Sequence, residues 1–518
     1  MKKEFNITGI CRPAKHYMAD VSKKFAETFK MVERGKYFII NRPRQYGKTT
    51  MLYTLATALR KTGNYIVFNI SFEGIGDAIF EDEARFAPGF VRLFVAQAKA
   101  HTPELVEYLQ EKSKEIHNLD SLSDAITDIA LQTDKEIVVL IDEVDKSSNN
   151  QLFVSFLAML RNKYLAQDDA KTFHAVVLAG VHDVKSLKIR IRPDEEAKFN
   201  SPWNIAAEFT VDMNLHPSEI KPMLDEYAAD TGVKMDTQEI ADSLFYYTSG
   251  YPFLVSKLCK MMDETYLPLK TEKMWAVEDV EKTVKQLVAE SNTNFDTLVK
   301  NIENNPDLYQ IVYKVAVDNE HFPFNINNAT VNFGLMYGIF VNKNGLTIHN
   351  RIYREVLLDY MSYKMLLSGM SKSDVGSGYK HDNGLLNMEA VILGFQSFMK
   401  KEYSKKDRDF LEKNGRLVFL AFLKPIINGS GFDFKEPQIS DERRLDVVIT
   451  YLHEKFVAEL KIWRGEKAHG KGLTQLTDYL DRQNLNEGYL LVFDHSEVKK
   501  WDLEWIEVNG KKVFMAWV

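Results

Sequence analysis

Gly47, Lys48, Thr49 and Thr50 follow the strand-like run YFIIN and a short polar segment, and open the helical stretch KTTMLYTLATALR. A turn that empties into a helix aims backbone N–H groups at one spot, where a lysine adds a full positive charge. That is what a phosphate-binding loop requires. The reading gives Lys48 the β- and γ-phosphates of a nucleotide and Thr49 a magnesium ion, with Arg44, Gln45, Tyr46, Gly47 and Thr50 completing the loop. Arg42 stands where such a loop wants its first glycine, five residues before Gly47. It is expected, with Arg44, to add positive charge at the mouth. Read alone, these residues suit an exposed turn before a helix equally well.

The run EIVVLIDEVDK supplies the complement. A buried strand ending in Asp142 and Glu143 offers one acid to hold a magnesium ion through water and a neighbouring base to polarise an attacking water. The two motifs are expected to converge on one magnesium-bound nucleotide at the ends of adjacent strands.

A separate constellation lies near the C-terminus. In RRLDVVITYLHEKFVAELKIW, a two-residue turn at His453-Glu454 would set Asp446 opposite Lys461 and diagonal to Glu459. Residues two apart on a strand share a face, so all three side chains would project from one side. Asp446, Glu459 and the carbonyl of Leu460 would give hard oxygens to Mg²⁺ or Mn²⁺. Lys461 would orient or deprotonate water and offset charge on a pentavalent phosphate. Gln475 follows on the helix GLTQLTDYL, and the auxiliary acid is open among Glu412, Glu389, Glu402 and Glu436. A half-exposed strand with an ordinary Glu-x-Lys pair shows the same alternation.

The elements that must hold these residues follow from apolar patterning. Between Met31 and Met213, KYFIIN, YIVFNIS, EIVVLIDE, FHAVVLAG and EFTVDM read as strands, several apolar at consecutive positions as in a parallel sheet covered on both faces. From Leu215 to Glu290 the pattern turns helical, with one helix stopping at Gly232. Short helices and a hairpin turned at Asn344-Gly345 follow. The Ser- and Gly-rich stretch 368–384 reads as a linker, and Leu385–Val518 as a second α/β unit. The expected division is 1–30 leader, 31–214 core, 215–291 helical lid, 292–365 winged-helix-like module, 366–384 linker and 385–518 C-terminal domain.

At 518 residues with 45% hydrophobic and 27% charged residues, the chain has the balance of a folded protein of several domains. A net charge of −7 argues against a broad nonspecific grip on DNA. Residues 385–518 hold 21 Lys and Arg against 21 Asp and Glu, so a basic rim would have to come from Arg443, Arg444, Arg464, Lys467 and Lys471. Two cysteines give no disulfide framework. With neither a signal-like start nor a long apolar run, the expected place is the cytoplasm, with no membrane partner.

HYMADVSKKF, VERGKYFIINRPRQYGKTTMLYTL, LIDEVDK, LAGVHDVKSLK, SPWNIAAEF and TSGYPFLVSKLCK together resemble the AAA-like ATPases with an Arg-Gln-Tyr-Gly-Lys-Thr loop, relatives of the STAND-type NTPases. The resemblance covers about residues 10 to 290. It implies ATP with Mg²⁺ as cofactors, a polar sensor at His182 or Asp183, a lid helix opened by Gly250-Tyr251-Pro252, and charge donors Arg190 and Arg192 reaching a neighbouring subunit of a homo-oligomer. A Schellman-type turn, a proline at the first helical position and a solvated basic loop are the plainer readings of those residues. The Asp446, Glu459, Lys461 and Gln475 set resembles the PD-(D/E)xK nucleases over about residues 385 to 518, with Leu445 in place of the proline before the first acid. The implied architecture is a P-loop NTPase with a parallel sheet, helical lid and winged-helix-like module, joined to a restriction-endonuclease-like α/β domain. An ATP-dependent nuclease acting on nucleic acid, DNA before RNA, under an unidentified activating partner is the first expectation. A nucleotide-dependent switch whose nuclease-like domain only binds is the second. A DNA-binding regulator acting through residues 292–364 ranks last, since RIYREVLLDYM carries little positive charge.

Overall fold

The computed structural model describes residues 3–147, 151–181, 203, 205–290, 292–318, 322–367, 379–402, 418–420, 422–423, 426–427, 431–434, 447–463, 466–494 and 500–518. It divides into two compact units. One comprises Met1–Leu287, Phe324–Lys343 and His349–Ile352, the other Val288–Pro323, Asn344–Ile348 and Tyr353–Val518.

The first unit is built on β1 (Phe38–Asn41), β2 (Tyr65–Ser71), β3 (Glu136–Asp142) and β4 (Ala175–Gly180). Every pairing is parallel, in the order β1-β4-β3-β2. β3 is buried from Ile137 onward and β4 throughout, because helices cover both faces. Those helices include Lys48–Thr62, Glu83–His101, Leu119–Leu131 and Gln151–Leu165. Phe68 of β2 stacks on Phe94 with centroids 4.2 Å apart, inside a cluster that also holds Phe90 and Phe156. Helix starts are set locally: the Asp82 carboxylate accepts the Ala84 N–H, and Asn118 forms a capping box with Ser121.

Two expectations fail here. The run EFTVDM forms no strand; only Ala207 makes an isolated parallel bridge to Phe38 on the outer side of β1. The Val211 carbonyl in this run is instead satisfied by the Arg42 guanidinium, which donates to it at 2.7 Å outside any ladder. The phosphate-loop strand and the acid-bearing strand are also not adjacent, since β4 lies between β1 and β3.

Three helices follow in the same unit: Pro217–Thr231, Thr237–Thr248 and Pro252–Met261. Gly232, at φ 71°, closes the first. The short strands β5 (Phe340–Asn342) and β6 (Leu346–Ile348) flank Asn344 and Gly345, both at positive φ, as their sequence predicts.

The second unit carries a six-stranded sheet of β7 (Gly431–Phe434), β8 (Val447–Tyr451), β9 (Glu454–Ile462), β10 (Glu487–Phe493), β11 (Leu503–Val508) and β12 (Lys511–Trp517). The order is β11-β12-β10-β9-β8-β7. β10 runs parallel to both β9 and β12, while β7, β8 and β9 pair antiparallel, as do β11 and β12. The Glu466–Arg482 helix is the crossover between β9 and β10. Leu476 and Leu480 of that helix pack on Val457, Leu490 and Val513.

Tyr451 pairs with Glu454, so the hairpin turn is Leu452-His453 and not His453-Glu454. Leu452 takes φ 52°, a conformation its side chain disfavours, and Glu454 is drawn into β9. The turn keeps two residues, so the alternation of faces along both strands is unchanged.

Candidate functional site

In the first unit β1 ends at Asn41, and the Arg42 N–H continues the ladder to Gly180 O at 3.2 Å. The loop then reaches the Lys48–Thr62 helix through Gln45 at φ 59° and Gly47 at φ 78°. A Cβ on Gly47 would meet nothing within 4 Å, so the positive φ and not space calls for glycine. Lys48 is buried, and its Nζ donates to the carbonyls of Arg42 and Pro43, each at 2.8 Å. Burial lowers its pKa, opposed by the charges of Glu143, Asp145 and Asp142. An ammonium has three N–H donors, and these two bonds leave one for a ligand.

Asp142 is buried at the end of β3, and one of its oxygens accepts the Glu143 N–H at 2.9 Å. Glu143 stands at φ 54°, half-buried. Burial first, and the Asp142 charge next, raise its pKa, while Lys48 opposes them. Asp145 accepts the Val181 N–H at 2.6 Å just past β4. Gly180 makes room for it: an added Cβ would lie 2.9 Å from an Asp145 oxygen.

A cavity of about 440 Å³ opens over the loop. Arg44 to Thr50 form its floor, Glu73 and Glu143 stand on the acidic side, and Pro252, Phe253 and Ser256 come from the Pro252–Met261 helix. Asn6, Ile7, Thr8, Gly9 and Cys11 close the remainder. The loop after β1 and Glu143 after β3 thus line one cavity despite the intervening strand. Thr49 is exposed at the cavity, whereas the Thr50 hydroxyl accepts the Cys11 N–H at 3.1 Å. Gly250, at φ 75°, lets the helix approach; a Cβ there would lie 2.3 Å from the Leu215 carbonyl oxygen.

Arg42 departs from its expected role. Its guanidinium donates to Asn41 O and Val211 O and lies over the Phe209 ring at 5.4 Å. It clamps the loop from behind, and the surrounding burial lowers its pKa. This accounts for an arginine where a first glycine is usual. Tyr46 is likewise buried, its hydroxyl directed to Asn214 and His349. Neither Asn214, His349, Glu73 nor the N-terminal residues carry a sequence signal for this site, because they lie far away in the chain. His182, Asp183, Arg190 and Arg192 fall outside the described residues.

In the second unit Glu459 is fully buried on β9, and Lys461 Nζ sits 2.6 Å from its carboxylate. The same ammonium is 3.5 Å from Gln475 Oε1 on the crossover helix. Gly472 permits this packing, since a Cβ there would meet Lys461 Cγ and Cε at 3.3 Å. Glu459, Lys461 and Gln475 therefore lie together, while the Leu460 side chain is buried and its backbone pairs with Leu491. Asp446, Glu412, Glu436, Arg443, Arg444 and Arg464 fall outside the described residues, as do the side chains of Glu402, Lys467 and Lys471 and the chain at 368–378. Among the described residues, no cluster of three His, Cys, Asp or Glu forms a metal centre, and no helix is long and apolar enough to cross a membrane.

A parallel sheet in the order β1-β4-β3-β2, with a Gly-Lys-Thr turn after β1 and an Asp-Glu pair after β3, defines an α/β domain of the P-loop class. The profile described as AAA-like domain matches residues 14–356, and the chain belongs to that family. An uncharacterized WD repeat-containing protein of Synechocystis is 23% identical over 270 residues, 51% of this chain. The chain spans about a fifth of that relative's length, 21%. Among solved structures, a Walker-type ATPase of Pyrococcus abyssi aligns at 12% identity and TM-score 0.46, covering 68% of this chain and 99% of that one. The ORC2 protein of Aeropyrum pernix aligns at 14% and 0.40, over 70% and 98% of the two chains. The Thermotoga maritima RuvB branch-migration motor aligns at 14% and 0.34, over 66% and 95%.

Proposed function

We propose that the first unit binds and hydrolyses ATP with Mg²⁺, and that residues 385–518 form a metal-dependent phosphodiesterase acting on nucleic acid, DNA foremost. The observation that carries the nucleotide reading is the single cavity bounded by Gly47–Thr50, Glu73 and Glu143, with Lys48 keeping one donor for a ligand. Lys48, the loop N–H groups and the start of the Lys48–Thr62 helix would hold the phosphates. Thr49 and Asp142 are hard oxygen donors that suit Mg²⁺, which when bound offsets phosphate charge. Glu143, with its raised pKa, would take the proton of the attacking water. Calorimetric titration with ATP and magnesium tests this, and absence of binding at millimolar nucleotide overturns it.

The phosphodiester reading is supported by the contact of Glu459, Lys461 and Gln475 on a mixed sheet with a parallel β9–β10 pair. Glu459 and Asp446 would supply the oxygen ligands of Mg²⁺ or Mn²⁺, and such an ion stabilises charge on the phosphate. Lys461 would orient water beside it. The test is plasmid cleavage with Mg²⁺ or Mn²⁺, with and without ATP. A cytoplasmic place, homo-oligomerisation and an activating partner belong to the same proposal.

The equal count of acids and bases across 385–518 favours a second reading, in which this domain binds weakly or not at all to a polyanion and the protein works as an ATP-set switch. Wild-type protein that binds ATP yet leaves plasmid intact with either metal selects it.

A further inference from the structure

The phosphate loop is held by its tyrosine in a way that the nucleotide reading does not use. Tyr46 lies between Gln45 and Gly47, the two positive-φ residues that give the loop its shape. Its ring meets Tyr251 edge-on at 4.5 Å and His349 edge-on at 6.1 Å, and Tyr251 in turn meets His349 at 5.6 Å. The Tyr251 hydroxyl donates to Arg44 O at 2.6 Å, so both ends of the Arg44–Tyr46 segment are tied.

The hydrogen bonds at Tyr46 have one consistent direction. Its hydroxyl donates to Asn214 Oδ1 at 2.5 Å, because an amide oxygen can only accept. The contact to His349 Nε2 at 2.7 Å must then be a bond that the histidine donates. The Asn350 amide donates to His349 Nδ1 at 3.2 Å, which fixes the same tautomer from the other side. Asp212 completes the chain by accepting the Asn214 amide at 2.9 Å. Burial takes His349 down to about 4, so the ring is neutral and the assignment holds across the physiological range. The backbone of His349 is itself fixed, donating to Ile339 O at 2.8 Å.

We propose that Tyr46 is the positioning residue through which the phosphate loop and the His349–Ile352 segment hold one another, so that nucleotide on the loop tightens that segment and loss of the tyrosine hydroxyl loosens the nucleotide. The proposal rests on the nucleotide reading above. Its physical basis is that binding couplings are reciprocal: a contact that favours the ligand-ready loop is itself favoured by the ligand. A hydroxyl that donates to the half-buried Asn214 and accepts from the buried His349 leaves the histidine N–H without that partner when removed.

The experiment compares wild type, Tyr46→Phe, His349→Ala, His349→Gln and the Tyr46→Phe/His349→Ala pair by ATP–Mg²⁺ titration, with thermal unfolding as a control. Tyr46→Phe and His349→Ala should each weaken ATP about tenfold. The pair should be no weaker than either alone, because both remove one contact. Glutamine at 349 keeps an amide donor and should recover most of the affinity, which a packing defect would not allow. In wild type, ATP should slow hydrogen exchange of the His349 amide, and Tyr46→Phe should abolish that slowing. Wild type that binds ATP with Tyr46→Phe unchanged, with additive losses, or without slower exchange at His349 overturns the coupling alone. Wild type that binds no ATP overturns the nucleotide reading and the coupling together.

Discussion

Lys48 Nζ donates to the Arg42 carbonyl at 2.8 Å, while the guanidinium of the same Arg42 donates to Val211 O at 2.7 Å. One residue thus braces the lysine with its backbone and anchors the loop with its side chain. Contacts of this kind hold a loop in one shape, and a pre-organised loop lowers the cost of binding.

Lys48→Ala should lower ATP affinity at least a hundredfold, since it removes the one full positive charge buried at the cavity floor. Titration calorimetry checks this, with circular dichroism to confirm that the fold is retained.

Glu143→Gln should leave ATP binding within about threefold and reduce hydrolysis on the order of a hundredfold, the usual range for a lost general base. Phosphate-release assays at saturating ATP read the difference.

The pH dependence follows from the raised Glu143 pKa. A base must be ionised to act, so hydrolysis should fall as pH drops through a value above the ordinary glutamate range. Glu143→Gln should lose that acidic limb along with its rate. A profile of turnover against pH, taken at saturating ATP, measures it.

Gly250→Ala should destabilise the first unit by about 3 kcal/mol, because the φ of 75° disfavours a side chain and the new Cβ meets the Leu215 carbonyl. Urea unfolding followed by tryptophan fluorescence reports the loss.

Lys461→Ala should abolish metal-dependent plasmid nicking while leaving ATP affinity unchanged. Equal nicking by wild type and variant would remove the phosphodiester assignment. The substitution should not unfold the domain, as the lysine is only part-buried, though Glu459 loses its 2.6 Å partner.

The four core strands were readable because burial on both faces leaves an unbroken apolar run, and the Gly-Lys-Thr and Asp-Glu motifs were readable because their chemistry is local. EFTVDM has the same apolar look, yet it forms no strand, and its Val211 carbonyl is held by an arginine distant in sequence. The hairpin turn sits one residue earlier than expected, which shifts the pairing by two and keeps the faces, because Leu452, with no turn-forming chemistry, occupies the positive-φ corner. Tyr46 was visible as part of a loop motif, but its partners lie 168 and 303 residues away and left no trace in any short window. Sequence periodicity reports the elements; it is silent on which side chain crosses between them.

The placement of β4 between the two motif strands has a practical result for mutagenesis. Its last residue, Gly180, accepts the Arg42 N–H through its carbonyl and, by lacking a Cβ, leaves room for the Asp145 carboxylate. Bulk added there would push phosphate grip and acid cluster apart in a single stroke, making this small hinge-pin a sharper probe of their cooperation than either motif taken singly.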